Sequence, residues 1–201
     1  MYRCFMLYRY LLVLSSSALA ACGSVEVSTN ESFPHELNPR TFFEGKICAD
    51  GVVRDYSGQQ IRHFNAEIIA SWDSDGVGTL AEEFRFNDGI EYRTWTLAPL
   101  MEDETVVAYS ASATDVPQAT RMEFSGNAIH MDYQLNYQTG VDDSGKPETL
   151  SLTMTDRMYQ VAEGVVVNET MMSKFGIDVG QVLLVMRQVG EEHSCWMNEG
   201  V

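Results

Sequence analysis

The sequence predicts an all-β domain in which about eight to ten antiparallel strands form an up-and-down barrel. From residue 42 onwards, long segments rich in β-branched and aromatic residues alternate with turn sequences such as Asn87-Asp88-Gly89 and Ser125-Gly126-Asn127. No segment keeps a sustained helical period, so helices that connect parallel strands are not expected. A long antiparallel meander usually closes on itself, because closure removes the exposed strand edges.

The strands also have one apolar face each, which is the third observation in favour of a barrel. Two interleaved rows run through residues 129–137. The odd-numbered row is apolar and the even-numbered row is polar: Ile129, Met131, Tyr133, Leu135 and Tyr137 against His130, Asp132, Gln134 and Asn136. Because side chains alternate across a strand, the odd-numbered row is expected to face the interior.

The turn sequences divide the domain, residues 42–201, into ten predicted strands. We expect Met171–Gly176 to form a short turn of helix before the last strand, with Gly176 and Gly180 ending it. The predicted strands are residues 42–53, 61–72, 78–87, 91–98, 105–113, 118–124, 128–139, 148–159, 165–172 and 181–189.

The first 21 residues have the pattern of an export signal. Arg3 and Arg9 precede or flank a short apolar run, which is too short to span a membrane. Leu19-Ala20-Ala21-Cys22 resembles the cleavage box of bacterial lipoproteins, in which the cysteine becomes the lipidated N-terminus. We therefore interpret residues 1–21 as a lipoprotein signal peptide, Cys22 as the lipidation site and residues 22–41 as a flexible tether. The alternative is an ordinary secretory signal cut after Ala21.

The lipid anchor would hold the protein on a membrane of the cell envelope. Gly23 stands where an aspartate would resemble an inner-membrane retention signal, so the expected location is the outer membrane, facing the periplasm. Removing residues 1–21 would change the formal charge from −16 to −18. Nucleic acid is not an expected partner, because binding phosphates requires clustered Lys and Arg.

Two cysteines remain once Cys4 and Cys22 are set aside. Cys48 and Cys195 would share a compartment that permits disulfides, so we expect them to be bonded, with two separate thiols as the alternative. Cys48 alternates with the apolar Ile47 and Ala49 and should point outward. The bond would then hold the C-terminal tail against the outside of the first strand.

The chain also resembles a family of uncharacterised bacterial lipoproteins with a domain of unknown function. The resemblance rests on Phe43-x-Gly45, Ala49-x-Gly51, Arg62-x-Phe64, Asp88-Gly89, Arg93-x-Trp95, Gly126-Asn127-Ala128, Asn168-Glu169-Thr170 and Lys174-Phe175-Gly176. It implies a lipocalin-like or calycin-like barrel, and genes of the family often lie near fatty-acid-modifying enzymes. It implies no established activity. Arg157 stands where the family pattern has a tryptophan.

Known catalytic and metal-binding motifs are missing from the sequence. It contains no His-Glu-x-x-His, no Gly-x-Ser-x-Gly and no Cys-x-x-Cys. Asp73-Ser74-Asp75-Gly76 begins like a calcium loop, but Phe84 occupies the twelfth position, where a bidentate carboxylate is required. No catalytic residue, metal or cofactor is therefore predicted.

Charged residues on the apolar faces are the candidate ligand-binding residues. Arg62 lies on the face of Phe64 and Trp72, Arg93 shares a face with Trp95, and Asp156 shares one with Leu152 and Met154. A charge inside a barrel costs several kcal/mol unless it is paired. The predicted ligand-binding residues are Arg62, Arg93, Trp95, Tyr133 and Asp156, with an arginine receiving a ligand carboxylate.

Two structural alternatives stay open for these charges. The arginines could instead pair with Asp156, or an arginine could stack on Trp95 and close one end of the barrel. Arg93 could also face outward, since Ile90, Tyr92, Thr94 and Thr96 form a second possible inner row.

The main functional hypothesis is a membrane-anchored periplasmic lipoprotein whose barrel binds or carries an apolar or fatty-acyl ligand. A second hypothesis is an envelope scaffold or interaction lipoprotein with a filled barrel. A third is a lipid-modifying enzyme that uses Asp156 with Arg93, for which the sequence offers no nucleophile and base.

Overall fold

The computed structural model describes residues 25–141 and 145–196, which form ten strands and two short helical segments. A 3₁₀ helix spans Val27–Asn30 and α1 spans Pro39–Phe42. The strands are β1 Gly45–Asp55, β2 Gln60–Trp72, β3 Gly78–Phe86, β4 Gly89–Glu102, β5 Thr105–Ala113, β6 Thr120–Ser125, β7 Ala128–Val141, β8 Pro147–Ala162, β9 Val165–Lys174 and β10 Ile177–Val189.

The ten strands form one closed antiparallel barrel, which confirms the predicted fold. Each strand pairs with its neighbours in sequence, and β1 closes the barrel by pairing with β10, for example Ala49 opposite Met186. The register places the same alternate residues inside on successive strands, such as Ile68 opposite Ile47 and Leu80 opposite Ala70. Most inward residues are therefore apolar, and those that are buried form the single core cluster of the described residues.

Up-and-down connectivity gives the barrel two different ends. The hairpins β1–β2, β3–β4, β5–β6, β7–β8 and β9–β10 lie at one end, which we name the open end. The turns after β2, β4, β6 and β8, together with the N-terminal segment, lie at the other end, which we name the closed end.

The expected helical turn at Met171–Gly176 is wrong. Met171 and Met172 pair with Gln181 and Gly180 of β10, so β9 continues to Lys174. Phe175 and Gly176 then form the hairpin tip, both with positive φ values of 53° and 78°. The ladder hydrogen bonds to β10 outweigh any local preference of this stretch for a helical turn.

The flexible tether predicted for residues 22–41 is corrected over its described part. Leu37 is fully buried, and its N–H donates a hydrogen bond to the carbonyl oxygen of Gly126 at 2.8 Å. The Asn38 side chain caps α1 by accepting from the N–H of Arg40 at 2.9 Å. Phe42, the last residue of this helix, and Phe43 are buried. The segment therefore contributes apolar side chains to the core and covers the closed end.

Close packing of the N-terminal segment on the closed end explains why position 126 is a glycine. Gly126 has a φ of 52°, and a Cβ added there would lie 1.9 Å from the carbonyl oxygen of Asn30. Only glycine lets the N-terminal segment approach the β6–β7 turn this closely.

The C-terminal tail lies along the outside of β1. Cys48 and Cys195 form a disulfide with their Cα atoms 5.0 Å apart. The Nζ of Lys46 donates hydrogen bonds to the carbonyl oxygens of Glu191 and His193 at 2.9 and 3.1 Å. Because Cys48 points outward from the barrel, the bond fixes the tail near the closed end. Among the described residues, no helix has the length and apolar character needed to cross a membrane.

Candidate functional site

The barrel interior contains a cavity of about 350 Å³. Its walls come from the inward positions of most strands, and most of these positions carry aliphatic, aromatic or methionine side chains. The apolar lining residues are Phe43, Ala49, Val53, Ile61, Phe64, Ile68, Leu80, Phe84, Phe86, Trp95, Leu97, Met122, Met131, Leu135, Leu150, Leu152, Met154, Met158, Met172, Val182, Leu184 and Met186.

All five predicted ligand-binding residues line this one cavity: Arg62, Arg93, Trp95, Tyr133 and Asp156. The alternative inner row of β4 is wrong, because Ile90 and Tyr92 are 55% and 72% exposed on the outer surface. Arg93, two positions before the buried Trp95, therefore faces the interior.

The cavity is accessible from the open end of the barrel. Ile61 and Tyr137, which lie near the hairpins of that end, line the cavity and are exposed. Arg62 lies beside them, with its Nη2 2.7 Å from Asp88 Oδ1 and 2.8 Å from Glu91 Oε1. Its guanidinium also lies 3.6 Å from the ring centroid of Phe86, so a cation–π contact fixes it at the cavity entrance.

The opposite side of the cavity is sealed by the closed end. Phe43 lines the cavity there and is buried, and its carbonyl oxygen accepts a hydrogen bond from Trp72 Nε1 at 2.6 Å. Leu97 and Met122 are also buried lining residues. A ligand would therefore enter and leave through the open end.

A group of partly buried polar side chains surrounds Arg93 within this largely apolar wall. Arg93 Nη2 lies 2.8 Å from Asp115 Oδ2, and Arg93 stands directly across the β3–β4 ladder from Glu82. Burial raises the pKa of Glu82 to about 7, with Asp115 and Asp156 adding to the rise and Arg93 opposing it. Burial lowers the pKa of Arg93, but the acidic groups of Tyr133, Glu82 and Asp115 outweigh it and leave this pKa raised.

Asp156 forms the second part of the polar group. It accepts hydrogen bonds from the Asn168 side chain and, at 2.9 Å, from the Thr170 hydroxyl. Burial raises the pKa of Asp156, although these two hydrogen bonds favour the charged form. Burial and the nearby Asp156 also raise the pKa of Tyr133. The ring of Tyr133 packs edge-on against the ring of Trp95, with the two centroids 5.3 Å apart.

The structure changes the expected role of the two arginines. The sequence interpretation left an arginine available for a ligand carboxylate, or paired it with Asp156. Within the described residues, both arginines instead form ion pairs with other acids: Arg62 with Asp88 and Glu91, and Arg93 with Asp115. Asp156 is held by uncharged partners.

Sequence reasoning missed Glu82 and Asp115. Glu82 could have been found, since Leu80, Glu82 and Phe84 alternate on one face of β3 as the residues around Arg62 do on β2. Asp115 gives no such signal because it lies in the β5–β6 loop. In the described parts of the chain, no group of three or more His, Cys, Asp and Glu side chains is placed to hold a metal ion.

Two solved structures share this fold at low sequence identity. One is an S-type phycobiliprotein lyase, CPES, from Guillardia theta, with a TM-score of 0.51 and 10% identity over 76% of this chain and 92% of the lyase chain. The other is a protein of unknown function of the DUF3598 family from Nostoc punctiforme, with a TM-score of 0.52 and 11% identity. That match covers 78% of this chain and 51% of the other. These similarities support a lipocalin-like barrel and extend no further than the fold.

No curated protein matches the chain in sequence. A family model does match, over residues 16–188, which include most of the barrel and the cavity residues described above. The resemblance to a family of unknown function is thereby confirmed, and the chain belongs to the DUF3833 family of proteins of unknown function.

Proposed function

We propose that this barrel binds or carries one apolar ligand of the fatty-acyl type inside its cavity. The observation that carries the proposal is the cavity itself, a space of about 350 Å³ with largely apolar walls and an entrance at one end. Small-molecule sites in proteins are concave, mostly apolar and about 300 to 1,000 Å³ in volume, with a few placed polar groups. Glu82, Arg93 and Asp156 are such groups.

The open cavity favours ligand binding over the scaffold hypothesis. A scaffold with a filled barrel needs a solid core, whereas long inward side chains here leave a space between them. Thirteen of the lining positions carry a flexible methionine or an aromatic ring. Methionine side chains adapt their shape, which suits a chain-like ligand of variable conformation. The lining residues of this kind include Phe64, Phe84, Met131, Met154, Met158, Met172, Met186 and Trp95.

The lipoprotein part of the proposal concerns residues outside the described ones. Cys22 precedes Val25, the first described residue, by three positions. Two or three acyl chains would hold the protein stably on a membrane. We propose an outer-membrane lipoprotein whose barrel faces the periplasm.

Native mass spectrometry of the protein purified from its own cells tests the binding function. A co-purifying acyl compound is the expected result, and a neutral dye such as N-phenylnaphthylamine should bind the emptied cavity with increased fluorescence. Leu152→Trp should fill the cavity and reduce both signals, because Leu152 is a buried lining residue. Thr153→Trp places the same ring on the outer face of β8 and is the matched control. An empty wild-type protein that also fails to bind the dye would refute the proposal.

A further inference from the structure

The charges inside the cavity are unbalanced toward acid. Arg93 interacts electrostatically with three carboxyl groups, those of Glu82, Asp115 and Asp156, and the last two also act on Glu82. These groups come from β3, from the β5–β6 loop and from β8, and Tyr133 of β7 lies among them. Acidic groups therefore outnumber basic groups around Arg93.

Two of the acceptor atoms have no partner among the described residues. Glu82 Oε2 and Asp115 Oδ1 are buried and accept no hydrogen bond. Glu82 also lines the cavity, so its carboxyl group is reachable by a ligand. A buried acceptor without a donor is costly, and a ligand that supplies a donor there would gain binding free energy.

A ligand carboxylate would bind less favourably than a hydrogen-bond donor beside Glu82. Arg93, which lies opposite Glu82 on the neighbouring strand, already pairs with Asp115 at 2.8 Å. Above pH 7 the charged carboxylate of Glu82 would stand close to the incoming negative charge, and like charges in a space shielded from water repel strongly. The same wall that suits an acyl or alkyl chain is therefore unfavourable for the head group of a free fatty acid.

We propose that the ligand's polar end is a hydrogen-bond donor, a hydroxyl or an ammonium group, that donates to Glu82, and that the cavity discriminates against a free carboxylate. This inference rests on the proposed binding function, and it specifies the chemical class of the ligand head.

Three probes of one chain length test the inference: dodecanol, dodecylamine and dodecanoate, each displacing N-phenylnaphthylamine at pH 8. At this pH the Glu82 carboxyl group is mostly charged, since its pKa lies near 7. Dodecanol or dodecylamine should displace the dye at concentrations about tenfold lower than dodecanoate, the difference expected for one hydrogen bond to a charged acceptor. The alcohol and amine arms distinguish a hydroxyl head from an ammonium head.

Glu82→Gln should reduce the preference for dodecylamine over dodecanoate by about tenfold, because the negative charge is lost while the side chain keeps its size. Glu83→Gln is the matched control, since Glu83 is the next residue of β3 and points outward to Arg85. Equal displacement by all three probes, or strongest displacement by dodecanoate, would overturn the inference. If Glu82→Gln does not fold, the inference is tested by the concentrations at which the three probes displace the dye from the wild-type protein. Absence of dye binding would instead refute the proposed function itself.

Discussion

Apolar side chains are buried at the closed end of the barrel and exposed at the open end. At the closed end, Leu37 and Phe42 of the N-terminal segment are 0% and 3% exposed because the segment packs on the barrel. At the open end, Tyr56 and Phe175 are 82% and 93% exposed on the tips of the β1–β2 and β9–β10 hairpins. Both ends consist of hairpin turns, and they differ because one of them is covered by a further segment of chain.

The closed end of the barrel therefore contributes mainly to folding stability, and the open end gives access to the cavity. Burial of apolar surface is the main favourable term in folding, so the covered end should supply more of the folding free energy. The uncovered end leaves the cavity open to ligand and contributes less to the core. Substitutions at the two ends should therefore have unequal effects on stability.

The largest expected effect is that of Phe42→Ala at the closed end. Phe42 is buried, and its ring packs edge-on against Phe43 with centroids 5.1 Å apart. Its removal should lower the free energy of unfolding by about 3 to 5 kcal/mol, as for other buried aromatic side chains. Urea denaturation measures the change. Phe175→Ala is the control at the open end and should change stability by about 0.5 kcal/mol or less. Equal losses in the two variants would contradict the comparison.

The disulfide at the closed end should give the next largest effect. It joins residues 147 positions apart and so restricts nearly the whole barrel in the unfolded state. Replacing both Cys48 and Cys195 by alanine should cost about 2 to 4 kcal/mol. Wild-type protein unfolded in the presence of a reductant should show the same loss. No difference between oxidised and reduced protein would mean that the disulfide contributes nothing to the stability of the barrel.

Between the two ends, Glu82 should make stability depend on pH. Its pKa rises from 4.5 to about 7 on folding, so the folded state binds the proton more tightly. The contribution of Glu82 to stability should therefore be most favourable below pH 4.5 and should fall by up to about 3 kcal/mol as the pH rises to 7 and above.

The substitution Glu82→Gln removes the contribution of Glu82 to the pH dependence of stability. The variant should gain stability relative to wild type as the pH rises from 5 to 8, measured by urea denaturation without ligand. Asp156 stays in both proteins, so its own raised pKa cancels in the comparison. Glu83→Gln is the control and should follow the wild-type curve. Parallel curves for wild type and Glu82→Gln would show that Glu82 is not held in a water-poor site.

The sequence reveals the barrel and its interior more clearly than its ends. Period-two alternation reports which face of a strand is buried, and Tyr133, Asp156 and Arg62 were placed in the cavity on that signal alone. The same signal extends to Glu82 in β3. Alternation shows which face of a strand a side chain lies on. It does not show which charged side chains of different strands form ion pairs. For this reason the partners of Arg62 and Arg93 could not be predicted.

The closed end could not be predicted because it depends on a segment without periodicity. Residues 25–41 are rich in polar residues and prolines, a composition typical of tethers. Leu37 and Pro39 are buried only because the barrel offers them an uncovered end, which is a tertiary effect. A polar composition therefore does not distinguish a tether from a cover that is held by a few apolar side chains.

The smallest expected effect is that of Arg62→Ala at the open end. The ion pairs of Arg62 with Asp88 and Glu91 involve acids that are 53% and 41% exposed, so water and salt screen them. Exposed ion pairs contribute about 1 kcal/mol or less, and the free energy of unfolding should fall by no more than that. Added salt should reduce the difference between variant and wild type further. A loss comparable to that of Phe42→Ala would show that the cavity entrance is as important for stability as the covered end, and the separation of the two roles would then fail.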